Sequence, residues 1–236
     1  MHTKHKRITA KAKALKLTHW TRLVPGLILT AWILSSCGGD NNQTAKTTTN
    51  KGAQDTSAGD TLMLDTRAST LGWWAHKVTG EHHGTVDIAR GYAVINGEKL
   101  AGGQVIAQMN TITDEDLESP EWNAKLVNHL KSDDFFMVEK FPEATLTLTQ
   151  IAQGKNDTVT VTADLTIKGI TNPVTFPLVV KQAKGIWHAT GEVTLDRTLW
   201  DIRYRSGKFF QDLGDKLIYD DFKLSFDLKT EPSPTT

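Results

Sequence analysis

"DTVTVTADLTIKG", residues 157–169, decides the fold. Val159, Val161, Ala163, Leu165 and Ile167 occupy every second position, and Thr158, Thr160, Thr162, Asp164 and Thr166 fill the places between. A strand sends successive side chains to opposite faces, so a period of two describes a half-buried strand with one wet face. "PVTFPLVVK", residues 173–181, keeps Val174, Phe176, Leu178 and Val180 in phase. "DFKLSFDLK", residues 221–229, does the same with Phe222, Leu224, Phe226 and Leu228. Between such runs stand turn signals: "INGE" at 95–98, "QGKND" at 153–157, "GITNP" at 169–173, "KQAKG" at 181–185 and "LGDK" at 213–216. Asn-Gly tolerates positive φ at both central positions of a two-residue hairpin loop, here Asn96 and Gly97. The pattern predicts an all-β domain of about eight antiparallel strands.

One stretch departs from it. "SPEWNAKLVNHLK", residues 119–131, offers Ser119 as N-cap and Pro120 at the first helical position. Trp122, Leu126 and Leu130 then recur at i, i+4 and i+8, a single apolar stripe. One amphipathic helix over about 120–131 is expected, packed on the strands, with Phe135, Phe136 and Phe141 continuing as cover. Long antiparallel strands with one apolar face either stack as a sandwich or close into a barrel, which removes exposed edges. Eight strands enclose a lumen that side chains fill or that holds one small ligand, and alternation does not decide between the two. It does make any interior ligand apolar, because the inward set is Val, Leu, Ile, Phe and Trp.

The flanks carry different information. Residues 1–22 hold Lys4, Lys6, Arg7, Lys11, Lys13, Lys16 and Arg22 and no acid, and "LVPGLILTAWIL" follows at 23–34. A basic head and a short apolar run are the layout of a secretory signal. Twelve residues give roughly 18 Å of helix, against about 30 Å for a hydrocarbon core, so this run is too short for a stable span. "LSSC", residues 34–37, resembles the lipobox of bacterial lipoproteins, which implies cleavage after residue 36 and acylation of Cys37, the one cysteine. Gly38 rather than Asp after it implies, by the same resemblance, the outer rather than the inner membrane of the cell envelope. Residues 37–60 read as a lipidated cysteine and a flexible linker, with alanine as the sole apolar type after the cysteine and a typical reach near 27 Å. Residues 61–230 make one domain, and 231–236 a tail.

Lysine plus arginine and aspartate plus glutamate each number 27. Seven of the basic residues precede Cys37, which leaves the mature chain with 20 basic against 27 acidic residues, a net of −7. Nucleic acid needs a basic footprint and is not expected as a partner. Catalysis is not expected either: no G-x-S-x-G appears, and no nucleophile, base and orienting group can be grouped from sequence. His82 and His83 are adjacent, so on a strand they face opposite sides and do not share a metal easily. No metal site and no cofactor is expected. The acid run Asp114, Glu115, Asp116 and Glu118 reads as a solvated loop ahead of the helix.

Four blocks in order, "STLGWWAHKVTGEHHGTV" (69–86), "NHLKSDDFFMVEKFPEATLTLT" (128–149), "ADLTIKGITNPVTFPL" (163–178) and "LDRTLWDIRYRSGKFF" (195–210), resemble the YceI-like family of exported bacterial proteins. The resemblance implies a lipocalin-like antiparallel barrel whose interior takes a long amphiphile, a polyisoprenoid or related lipid, with no defining reaction. It also implies that the chain can pair as a homodimer, as family members often do. The position where many members carry histidine in the first strand is Lys77 here. The candidate ligand-binding residues are the in-phase Leu71 and Trp73, the polar Lys77 and His82, and the inward Val161, Ala163, Leu165, Phe176, Leu178, Phe222, Leu224 and Phe226. Arg197, Trp200 and Tyr204 belong to a polar-aromatic cluster that reads either as a mouth holding a head group or as a charge-paired loop with Asp196 and Asp201. Trp74 points to the other side of its strand, toward solvent, lipid or a partner.

Overall fold

A computed structural model describes residues 59–232. The expected leader, Cys37, the linker up to residue 58 and the tail from residue 233 lie outside the described residues. Ten strands form one antiparallel sheet: β1 (Asp60–Met63), β2 (Thr70–Lys77), β3 (Gly80–Val86), β4 (Ile88–Asn96), β5 (Lys99–Gln108), β6 (Glu143–Gln153), β7 (Thr158–Ile167), β8 (Ile170–Ala183), β9 (Ile186–Asp196) and β10 (Ile218–Lys229). Their order is β1-β4-β5-β6-β7-β8-β9-β10-β2-β3, a strongly curled half-barrel.

The ends of that order are joined by chain continuity. β3 runs into β4 through Asp87 alone, and β1 leads into β2 after Leu64 bridges Thr230. β3 and β4 are thus nearly one bent strand, β1 and β2 are linked by a turn at residues 65–68, and β10 pairs with β2. The all-β antiparallel class is as expected, with ten strands where about eight were expected.

The alternation places its residues as expected in β7 and β8. Val159, Val161, Ala163, Leu165 and Ile167 are all buried, as are Val174, Phe176 and Leu178. β8 carries Pro173 and Pro177 on its outer face. Proline lacks the N–H that a central strand must donate, so it belongs on an edge. Accordingly β8 pairs only with β7 along Ile170–Leu178, and β9 joins it only from Val179 onward. The gap is covered by a 3₁₀ turn, Arg197–Trp200, where Asn172 Nδ2 donates to Leu199 O at 2.9 Å and Trp200 Nε1 donates to Leu165 O at 3.0 Å.

The β4–β5 hairpin exists but turns one residue later than expected. Asn96 pairs with Lys99, so Gly97 and Glu98 are the loop. Only Gly97 takes positive φ, at 61°, which suits a type II′ turn with glycine first.

The single helix, α1 (Pro120–Lys131), has the expected bounds. Ser119 sits at the N-cap position, although its side chain makes no capping bond. Leu130 is buried and Leu126 packs on the core. Trp122 does not: it is exposed, with Lys125 Nζ 4.6 Å over its ring. Three positions at strict i, i+4 spacing drift around a 3.6-residue helix, and the first of them leaves the contact. Among the described residues, no helix is long and apolar enough to cross a membrane.

Candidate functional site

The inner faces meet in part and leave space between them elsewhere. One cavity has about 1050 Å³ of non-atom space, its mouth included, and is walled by Leu71, Trp73 and Ala75 of β2, Val105 and Ala107 of β5, Leu165 of β7, and Phe222, Leu224 and Phe226 of β10. Leu130 of α1 and Phe135 and Phe136 beyond it lie over one side, which fits their expected role as cover. A second cavity of about 610 Å³ lies among Ile95, Leu100, Leu148, Phe176, Leu178, Trp187 and Leu228. Val105 and Phe226 line both. Phe226, part of the wall the two chambers share, stacks on Phe176 with ring centroids 5.4 Å apart and planes 13° from parallel.

Of the candidate residues, Leu71, Trp73, Leu165, Arg197, Phe222, Leu224 and Phe226 line the first chamber, and Phe176, Leu178 and Phe226 the second. Val161, Ala163 and Trp200 line neither, being wholly enclosed in packed core. Lys77, His82 and Tyr204 also stand apart. Lys77 ends β2 opposite Gly80. Tyr204 packs edge-on against His129, with centroids 4.7 Å apart, and near Phe135. Residues absent from the expected set, Val105 and Ala107 of β5 and Trp187 of β9, carry only the weak signal of in-phase positions in short mixed runs.

Arg197 reaches the chamber wall with three of its five N–H donors committed to backbone carbonyls. Nη1 donates to Ile202 O at 2.9 Å, Nε to Tyr219 O at 3.1 Å and Nη2 to Ile218 O at 3.1 Å, with Asp220 Oδ1 at 3.2 Å from Nη2. The guanidinium pins the 3₁₀ turn to the start of β10. Burial pushes its pKa down, against the pull of Asp220 and Asp196. Asp196 sits below the ordinary carboxylate range: burial opposes this, but hydrogen bonds from Lys208 and Thr198 outweigh it. Trp74 faces outward, stacked on His83 at 6.0 Å with Lys223 Nζ 4.5 Å over its ring.

The acid run is not uniformly solvated. Asp114 is buried, because its Oδ1 accepts the Leu117 N–H at 3.0 Å and Asn123 Nδ2 at 3.1 Å and so closes the loop on itself. Burial pushes its carboxyl up, and neighbouring Asp116 adds to the rise. Asp116 is held low despite burial by the His83 N–H, Asp114 and His82.

Solved structures with this fold include BcnA of Burkholderia cenocepacia (TM-score 0.58, 20% identity, 71% of this chain and 99% of that one). Another is a polyisoprenoid binding domain from Saccharophagus degradans implicated in plant cell wall breakdown (TM-score 0.56, 16% identity, 72% and 98%). Among curated proteins, a UPF0312 protein of Shewanella denitrificans is 37% identical over 78 residues, 33% of this chain and 38% of its own length. Protein YceI of Escherichia coli is 42% identical over 53 residues, 22% and 27%. These matches span well under half of the relatives' length. Residues 62–230, nearly all that the curled sheet contains, match the YceI-like domain, and the chain belongs to that family.

Proposed function

We propose that the protein binds one long apolar or amphiphilic molecule, a polyisoprenoid or related lipid, along the two chambers. The observation that carries this is their composition: both are lined almost wholly by aliphatic and aromatic side chains and meet at Val105 and Phe226. A concave, mostly apolar lining with few polar groups is the usual character of a small-molecule site. The fold shared with the Saccharophagus degradans polyisoprenoid binding domain supports the same class of ligand. The role is binding, not catalysis. Anchorage belongs to the same reading: Cys37 carries acyl chains and tethers the domain to the envelope, outer membrane preferred, since more than one chain is needed for stable attachment.

Protein purified without detergent, extracted into organic solvent and examined by mass spectrometry, is expected to yield a stoichiometric long-chain lipid. Recovery of none, from protein that also fails to take up a fluorescent long-chain probe, overturns the binding reading. Cys37→Ser is expected to leave the protein exported, unlabelled by fatty acid and soluble after fractionation. Retention in the membrane fraction would remove Cys37 as the anchor.

A further inference from the structure

Residues 112–118 form a strap along the outer edge of β3. Thr113 N–H donates to Thr85 O and Glu115 N–H to His83 O, each at 2.9 Å. Gly84 allows this approach, since a Cβ there would stand 2.1 Å from Thr113 O. These bonds fix the strap but leave one atom unexplained. The Asp114 side chain has no exposed surface, and its Oδ2 has no hydrogen-bond partner. That oxygen lies 3.8 Å from His82 Nδ1, which is itself 2.9 Å from Asp116 Oδ2.

We propose that His82, Asp114 and Asp116 form a divalent-cation site of the zinc class, binding through Nδ1 and the two Oδ2 atoms. Ligand atoms of the three residues lie within 4.8 Å of one another. Ligands about 2.1 Å from a tetrahedral zinc are separated by about 3.4 Å, so small side-chain shifts suffice. One neutral imidazole and two carboxylates balance a dication, and the mixed nitrogen-oxygen set suits zinc better than calcium, which takes six to eight oxygens. Asp114 is the floor of the site, while His82 and Asp116 keep 23% of their side-chain surface, which leaves an entry path. The remaining carboxylate oxygens are already held: Asp114 Oδ1 as above, and Asp116 Oδ1 by the His83 N–H at 2.9 Å. Such second partners orient metal ligands. A bound ion would staple the strap to β3. Thr113 of the strap accepts the Trp73 Nε1–H at 3.1 Å, so the same ion would steady a wall residue of the first chamber.

The test titrates the chelator-treated full chain with zinc alone by calorimetry, and with cobalt(II) followed by visible absorption. One ion per chain, tetrahedral cobalt bands and a raised thermal midpoint are expected. Asp114→Asn keeps an oxygen for the Leu117 N–H, and with His82→Gln it should weaken zinc by tenfold or more and remove the bands. His83→Gln should change neither. Circular dichroism checks that each variant folds, and zinc should slow hydrogen exchange at Thr113 and Glu115 in the wild type and in His83→Gln, but not in Asp114→Asn or His82→Gln. Absence of stoichiometric zinc, wild-type affinity in Asp114→Asn, or an equal loss in His83→Gln overturns the assignment.

Discussion

Strands β7 and β10 alternate apolar and polar residues in the same way, yet their inward faces meet different surroundings. Val161 and Ala163 of β7 are wholly enclosed and border no cavity. Phe222, Leu224 and Leu228 of β10 are only half-buried, and each lines a chamber. The difference comes from what stands beside each strand. The prolines of β8 end its ladder with β9, the 3₁₀ turn Arg197–Trp200 drops into that gap, and Trp200 locks onto the backbone of β7. β10 meets the same turn only at its start, where Arg197 holds the Ile218 and Tyr219 carbonyls and Trp200 stands edge-on to Phe222, and farther along its inner face borders the two chambers. Alternation fixes which way a residue points. Neighbouring backbone decides whether anything is there to meet it.

That contrast can be broken most severely at Trp200. Trp200→Ala removes a side chain with no exposed surface together with its hydrogen bond to the Leu165 carbonyl. A loss of about 3 to 5 kcal/mol is expected in denaturant unfolding. Ala163→Trp comes next. Its site has no space, so overpacking should cost about 1 to 3 kcal/mol, read from the same unfolding curves. A cost near zero would mean that the packed wall yields like the hollow one. Leu224→Trp sharpens the contrast from the other side: stability within about 1 kcal/mol of wild type, since the new ring enters existing space, but uptake of a long-chain probe reduced at least tenfold. Equal damage from Ala163→Trp and Leu224→Trp would erase the distinction between the walls.

The smallest effect concerns the carboxylate that sets the plug. Asp196 Oδ1 accepts the Thr198 N–H at 2.9 Å and Oδ2 meets Lys208, which starts the 3₁₀ turn. Its folded pKa lies below the ordinary value. A depressed carboxyl stabilises the fold above its unfolded pKa, near 3.9, and that contribution fades as pH falls through the folded value. Asp196→Asn should therefore lower the thermal midpoint slightly at neutral pH, and the gap to wild type should shrink below about pH 4. A gap that stays constant with pH would assign the effect to lost geometry instead of charge.

Much of this architecture was legible in local sequence. The strands of "DTVTVTADLTIKG" and the bounds of α1 follow from period and capping chemistry within a dozen residues. What stayed hidden is non-local. Whether Ala163 or Leu224 borders a space depends on a turn arriving from residues 197–200. Arg197 looked equally suited to a head group or to a loop ion pair, and the carbonyls that take its donors come from Ile202, Ile218 and Tyr219. Asp114 and Asp116 read as solvated because their partner His82 is more than thirty positions away.

The closure between β10 and β2 has a kinetic consequence. Every other strand pairing joins segments closer in sequence, whereas Ser69 Oγ donates to Lys229 O across 160 positions. Loop-closure entropy must be spent before such a contact returns anything, so contacts of high sequence separation slow folding. The β5–β9 meander should acquire protection first and the β10–β2 seam last. In pulsed hydrogen exchange during refolding, the amides of Thr162 and Thr166 should be protected in an earlier phase than those of Trp73 and Ser225. Simultaneous protection would mean that the seam belongs to the folding nucleus.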